Sequence, residues 1–329
     1  MSNPRYPVYI PSKGRADIAL TPRALDQIRV PYRIIVEEQQ YHAYAASYPE
    51  RKLLVLPRSY QEEYDTGDDL GTSVSVGPGA ARNFARDHSL SEGYPWHWTM
   101  DDNIDCFGRL HQNVRRRSGD GMIFAAMEDF CSRYLNIGMA GPEYTMFLPS
   151  REGRKSPFQV NRRIFSCQLT NNATGVRYRS RYNDDLAVAI ELLKAGWCTV
   201  KFTAFWQSKK GTQRMPGGCT TDLYQDGTLL KSQSIVRQYP DIVKLTRRYG
   251  RWHHQADFSR FENMRLIRDP AWTPPEVNPY QNLGIVPNPN FRRPLNPKGL
   301  TEIVNVLSDE HAARPAAPWK GNKRPAGNR

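Results

Sequence analysis

The stretch W-H-W-T-M-D-D-N-I-D, residues 96–105, constrains the rest of the chain most. Trp96, Trp98 and Met100 alternate with His97 and Thr99, the pattern of a strand with one well-buried face. The apolar run then stops at Asp101, Asp102 and Asn103. Three oxygen-bearing side chains at the carboxyl end of a strand are costly to desolvate without a partner. A divalent cation is the simplest partner, and carboxylate and amide oxygens suit Mg²⁺ or Mn²⁺. Strand carboxyl ends are also where ligands bind in α/β sheets. The plainer alternative is a strand-to-turn exit, since Asp and Asn favour turns.

What precedes this stretch alternates strand and helix. Tyr6–Pro11, Tyr32–Val36 and Leu53–Leu56 read as strands, Ala16–Ile28 and Gln39–Ser47 as helices. That alternation predicts parallel β-α-β units, hence an α/β fold. The first strand runs into Ser12-Lys13-Gly14-Arg15, where Pro11, Ser12, Lys13 and Arg15 suit a nucleotide diphosphate, although the P-loop spacing is absent. Residues 57–77 form a polar, acidic connection. Gly77-Pro78-Gly79 opens a helix that places Arg82 and Arg86 on one face, with Arg82 near the strand ends.

Beyond the acidic strand, Met122–Ile137 reads as a helix, and Tyr144–Leu148 and Phe158–Thr170 as strands. In Y-N-D-D-L-A-V-A-I-E-L-L-K-A-G-W a helix begins at Asp184 and Asp185 and ends at Gly196. One polar residue is needed as an N-cap, so one acid is left over for general-base work. The strand Trp197–Trp206 leads to a loop, residues 207–221, whose Lys209, Lys210 and Arg214 suit a diphosphate. Thr228–Gln238 and Ile242–Tyr249 look helical. In R-W-H-H-Q-A-D-F, an extended chain puts His253 and His254 on opposite faces, and either can be a third metal ligand.

Composition narrows the partners. The net charge of +13 over 329 residues favours an anionic partner such as nucleic acid. The clusters Arg115-Arg116-Arg117, Arg177, Arg179 and Arg181, and Arg247, Arg248 and Arg251 are the candidate phosphate contacts. Five scattered cysteines without C-x-x-C fit a reducing cytoplasm better than a disulfide framework or a zinc site. No apolar run reaches membrane-spanning length and no signal-peptide core opens the chain, so no membrane is expected. Prolines accumulate from residue 269, which divides the chain into a domain of residues 1–268 and a Pro-rich, basic, partly disordered extension, 269–329.

In this order the parts resemble a GT-A type glycosyltransferase over roughly residues 6–260. That resemblance implies a Rossmann-like, mostly parallel sheet flanked by helices, a nucleotide-sugar donor such as a UDP-sugar, and Mn²⁺ or Mg²⁺. The opening Y-I-P-S-K-G-R, the D-D-N-I and the G-R-W-H-H are similar, more narrowly, to the TET-associated glycosyltransferases found mostly in bacteriophages. The substrate then implied is 5-hydroxymethylcytosine or 5-hydroxymethyluracil in DNA, made by a TET/JBP-type oxygenase, in the cytoplasm of a bacterial host. By this resemblance Asp101 touches the nucleotide ribose, Asp102 holds the metal and Asp185 is the base, with Asp184 beside it. His253 or His254 is the late metal ligand. Asn103 departs from the D-x-D pattern. A protein or small-molecule acceptor is one alternative, and a catalytically inactive DNA-binding module is another.

Overall fold

The computed structural model describes residues 3–71, 75–111, 114–148, 156–211, 215–218, 222–223, 229–248 and 250–273. Short apolar runs joined by helices fold here as crossovers. β1 (Val8–Pro11) passes through α1 (Leu20–Gln27) to β2 (Arg33–Glu37), and α2 (Tyr41–Ala45) leads on to β3 (Leu53–Leu56). Then α3 (Arg58–Glu62) and α4 (Gly79–Ser91) return the chain to β4 (Trp96–Met100), parallel to β1. There follow β5 (Ile104–His111), β6 (Val114–Arg117), α5 (Met122–Cys131), β7 (Ile137–Tyr144), β8 (Phe158–Val160) and β9 (Cys167–Asn171). The last elements are α6 (Asp184–Lys194), β10 (Cys198–Lys209), α7 (Leu229–Gln238) and a hairpin of β11 (Val243–Arg248) and β12 (Arg251–Ala256).

The main sheet has the order β3-β2-β1-β4-β9-β7-β10-β5-β6, with β8 also on β10. β3, β2, β1, β4, β7, β10 and β6 run one way; β9, β5 and β8 run the other. Helices cover both faces. Val8, Ile10, Trp98 and Met100 pack with α1, α2 and α5, and Trp98 meets Phe124 edge-on at 5.2 Å. Tyr9, Ile35 and Leu56 face Ala81 and Ala85 of α4 instead. So β4 is buried on both faces, not one. His97 is fully enclosed, and its Nδ1 lies 2.6 Å from Asn172 Oδ1, which compensates its desolvation.

Some expected elements fold differently. The expected strand 158–170 is split, because Asn161 and Ser166 adopt left-handed backbone (φ 59° each). The helix expected to reach Ile137 stops at Cys131, and Ile137 opens β7, whose residues are all buried. The helix tightens and ends where Arg133 N and Tyr134 N donate to Phe130 O and Cys131 O (3.2 Å each), three residues back rather than four. Residues 243–248 are strand, not helix: Gly250, at φ 72°, turns the chain into a hairpin. Past residue 268 the chain stays on the domain as far as Trp272, whose ring lies 4.9 Å from the Arg133 guanidinium. Most of the Pro-rich segment lies outside the described residues. Among the described residues, no helix is long and apolar enough to cross a membrane.

Candidate active site

The parallel strands end at a crevice of about 370 Å³. The exit of β4 forms its floor and is fixed by backbone. Leu20 N and Thr21 N donate to Asp102 O (2.8 and 3.2 Å), and Asp101 N donates to Ser166 O (2.7 Å). Ser12, Lys13 and Arg15 flank it on the β1 side, and Tyr144, Phe147 and Phe165 on the β7 side. The amino end of α6 brings in Asp184 and Asp185. Asn183 begins that helix in left-handed backbone (φ 59°), and its side chain does not cap. Both acids therefore sit in the first turn, where the helix dipole favours negative charge.

Four carboxylates meet four cations here. Asp102 is buried and both its oxygens are engaged: Oδ1 by Arg15 Nη1 (2.5 Å) and Oδ2 by Ser12 Oγ (2.7 Å). Asp185 is clamped by Arg163, with Nη2 at 2.6 Å and Nε at 3.1 Å. Arg82, 3 % exposed, spans the two acidic pairs. Its Nη2 donates to Asp101 Oδ1 (2.6 Å), and its Nη1 lies 3.3 Å from Asp184 Oδ2. Lys209 Nζ stands 3.3 Å from Asp101 Oδ2.

The environments push the acids apart. Burial raises Asp184 above the usual carboxylate range, and attraction from Arg82 only partly offsets it. Burial also acts on Asp185, but the Arg163 charge and its hydrogen bonds outweigh it and hold that carboxyl low. At the floor, Lys209 and Arg82 outweigh the desolvation of Asp101 and lower it, whereas desolvation prevails at Asp102 and raises it.

For a hard cation, the oxygens at the β4 exit are not equally accessible. Asp102 has both oxygens bonded by Arg15 and Ser12 and is buried, whereas Asp101 meets Arg82 and, more loosely, Lys209. Asp101 keeps 27 % side-chain exposure, and Asn103 Oδ1 beside it is buried without a hydrogen-bond partner. Among the described residues no three His, Cys, Asp or Glu side chains group as a metal shell. Two protein oxygens nevertheless fit Mg²⁺ or Mn²⁺, which commonly takes one or two such ligands with substrate phosphates and water. His254 stands elsewhere: its Nε2 is 3.3 Å from Arg163 Nη1, and burial, helped by the Arg163 charge, depresses its pKa to about 3. His253 faces outward.

Other expected residues have other duties. Arg15 is bonded within the protein. Besides Asp102, it holds Pro216 O (2.9 Å) and Gly217 O (2.8 Å), fastening the segment 215–218 over the β1 exit. Gly217 (φ 77°) must be glycine there, since a Cβ would stand 2.4 Å from Gly14 O. Arg82 is likewise committed to carboxylates. Pro11, Ser12, Lys13 and Lys209 line the crevice; Lys13 is shared between Glu37 and Asp222 (3.1 Å each). Lys210 is exposed beside Asn103, and Arg214 lies outside the described residues.

The basic clusters separate too. Arg181 cannot contact phosphate: its side chain has no exposure and is spent on Asp68 and the carbonyls of Gly71 and Ser75. Arg115 is tied to Thr145 O (2.8 Å) and Leu148 O, Arg177 to Asp87, and Arg179 to Asp65 and Glu191. Arg116, Arg117, Arg247, Arg248 and Arg251 are exposed. Arg163 and the wall of Tyr144, Phe147 and Phe165 carried no motif in the sequence.

A crevice at the strand carboxyl ends, floored by one acidic pair and walled by another, defines an α/β enzyme. The chain belongs to a particular family of these: its residues 6–218 match the model of the TET-Associated Glycosyltransferase family. It is therefore a glycosyltransferase, of a kind associated with TET-type DNA modification. No curated protein matches the chain.

Proposed function

We propose that the protein transfers a sugar from a nucleotide-sugar donor, a UDP-sugar, to the hydroxymethyl group of 5-hydroxymethylcytosine or 5-hydroxymethyluracil in DNA. The observation that carries this reading is the pair of acidic pairs joined by Arg82. Transfer needs cations for the departing diphosphate and a base for the arriving hydroxyl, and Arg82 has Asp101 with Lys209 beside it at one end and Asp184 at the other. The donor lies on the β1 side, against Pro11, Ser12 and Lys13, and Lys13 and Lys209, which line the crevice, would serve its diphosphate. A divalent ion held by Asp101 and Asn103, when bound, would neutralise charge developing on that diphosphate.

The hydroxymethyl oxygen attacks the anomeric carbon, the bond to the diphosphate oxygen breaks, and the hydroxyl proton passes to the Asp184–Asp185 pair. Asp184 is the better acceptor, because its proton affinity is raised and that of Asp185 is suppressed. Asp185 positions Arg163. The base must be flipped out or single-stranded to reach this depth. A TET/JBP-type oxygenase would supply the hydroxymethyl group.

The test is mass spectrometry of nucleosides from hydroxymethylcytosine and hydroxymethyluracil DNA incubated with the protein, Mn²⁺ and a panel of nucleotide sugars. A sugar-sized mass gain on one modified base, lost in Asp184→Asn, is expected. Donor hydrolysis without gain on any base would remove DNA as the acceptor. Neither signal would leave an inactive DNA-binding module.

A further inference from the structure

The β7 side of the crevice carries an aromatic wall that donor binding and proton transfer do not use. Tyr144 meets Phe147 edge-on at 5.8 Å, and Phe147 and Phe165 are tilted by 32° with centroids 5.2 Å apart. The wall is continuous with both acidic pairs. The Arg163 guanidinium that clamps Asp185 lies 4.5 Å from the centre of the Phe165 ring. At the other end, Lys209 Nζ, which reaches Asp101, is 5.5 Å from the centre of the Tyr144 ring. At the mouth, Met146 and Phe147 remain 67 % and 47 % exposed, although ordinary burial would have hidden them.

We infer that Met146, Phe147 and Phe165 form the stacking subsite for the flipped acceptor pyrimidine. This rests on the reading above, that the acceptor is a DNA base. A sugar ring would need polar partners, and Met146 and Phe147 offer none. The planar base, by contrast, stacks on any ring and polarises a thioether. Its phosphates need cations beside the rings. β6 supplies them: Arg115 is bonded to the carbonyls of Thr145 and Leu148, which flank Met146 and Phe147, and Arg116 and Arg117 stand exposed on the same strand. Aromatic rings bordered by cations are how single-stranded nucleic acid is held.

The full chain is assayed on a single-stranded oligonucleotide carrying the hydroxymethylated base that the wild type modifies. Phe147→Ala raises the KM for the oligonucleotide about tenfold, the loss of one base stack, while Phe147→Trp keeps it within about twofold. The KM for the donor moves by less than about twofold in both, because the stack touches only the acceptor. Leu90→Ala, an exposed leucine on α4, changes neither value. An unchanged oligonucleotide KM in Phe147→Ala overturns the subsite alone. A rise in the donor KM assigns the wall to the donor nucleotide and overturns it as well. A wild type that glycosylates a peptide or small hydroxyl compound but no DNA overturns the subsite together with the reading beneath it.

Discussion

Asp101-Asp102 and Asp184-Asp185 are the same dipeptide in two settings. In each, one member is bound by an arginine: Asp102 by Arg15 and Asp185 by Arg163. The other member in each faces Arg82. Yet the pairs titrate in opposite senses. Asp101 is held anionic by Lys209 and Arg82 despite burial, whereas burial lifts Asp184 toward its neutral form. Their difference lies in the second cation, Lys209, which serves the first pair directly and reaches the second only at a distance. The cations that the fold brings to a carboxylate dipeptide thus decide which member stays anionic, and on the proposed reading they separate a ligand from a base.

The largest effect that would test this contrast is on turnover. Asp184→Asn lowers the single-turnover transfer rate about 10³-fold, the range of a lost general base. Asp185→Asn loses about tenfold less, since it disturbs only position. A reversed order would exchange the two roles. The pH profile sharpens the same point. A general base works only when deprotonated, and the pKa of Asp184 is raised. The rate therefore falls as pH drops through a limb lying above the ordinary carboxylate value of about 4. That limb should vanish in Asp184→Asn.

Breaking the floor pair is felt in stability first. Arg15→Met leaves Asp102 buried without its cation and lowers unfolding free energy by about 3 kcal/mol, measurable by urea denaturation. An Asp102→Asn change in the same background should recover part of it. Asp101→Asn acts on ligand binding instead, raising the Mn²⁺ concentration for half-maximal rate about tenfold, as the loss of one anionic ligand would. An unchanged requirement would place the ion elsewhere.

The smallest effect concerns DNA. If the exposed Arg116, Arg117, Arg247, Arg248 and Arg251 hold phosphates, log affinity falls against log salt with a slope of about −4. Arg117→Ala then flattens the slope by about 1. Arg181→Ala leaves it unchanged and costs stability instead, because that buried side chain holds Asp68 and the carbonyls of Gly71 and Ser75.

Much of this was legible in the sequence, and unevenly. The alternation of Trp96, Trp98 and Met100 announced β4, and the acids that follow it do line the crevice. The acids before L-A-V-A-I-E-L-L-K do open a helix. Local pattern sufficed there because period and capping act over a few residues. Charge partners did not show. Arg163 reaches Asp185, and Arg181 reaches Asp68, across long separations, so nothing adjacent marked one as part of the site and the other as a brace. The two histidines could be ranked only by register: β12 pairs with β11 so that His254 is turned inward and His253 outward.

Arg15 joins three acceptors that belong to different parts of the chain: Asp102, Pro216 O and Gly217 O. A lysine there could neutralise the carboxylate but could not span all three, since it carries one compact ammonium in place of a planar fork. Arg15→Lys, conservative by charge, would keep the floor and release the segment that roofs it. Sequence drift at this position can therefore proceed by halves: a lysine would retain anchoring without enclosure, and only an arginine retains both.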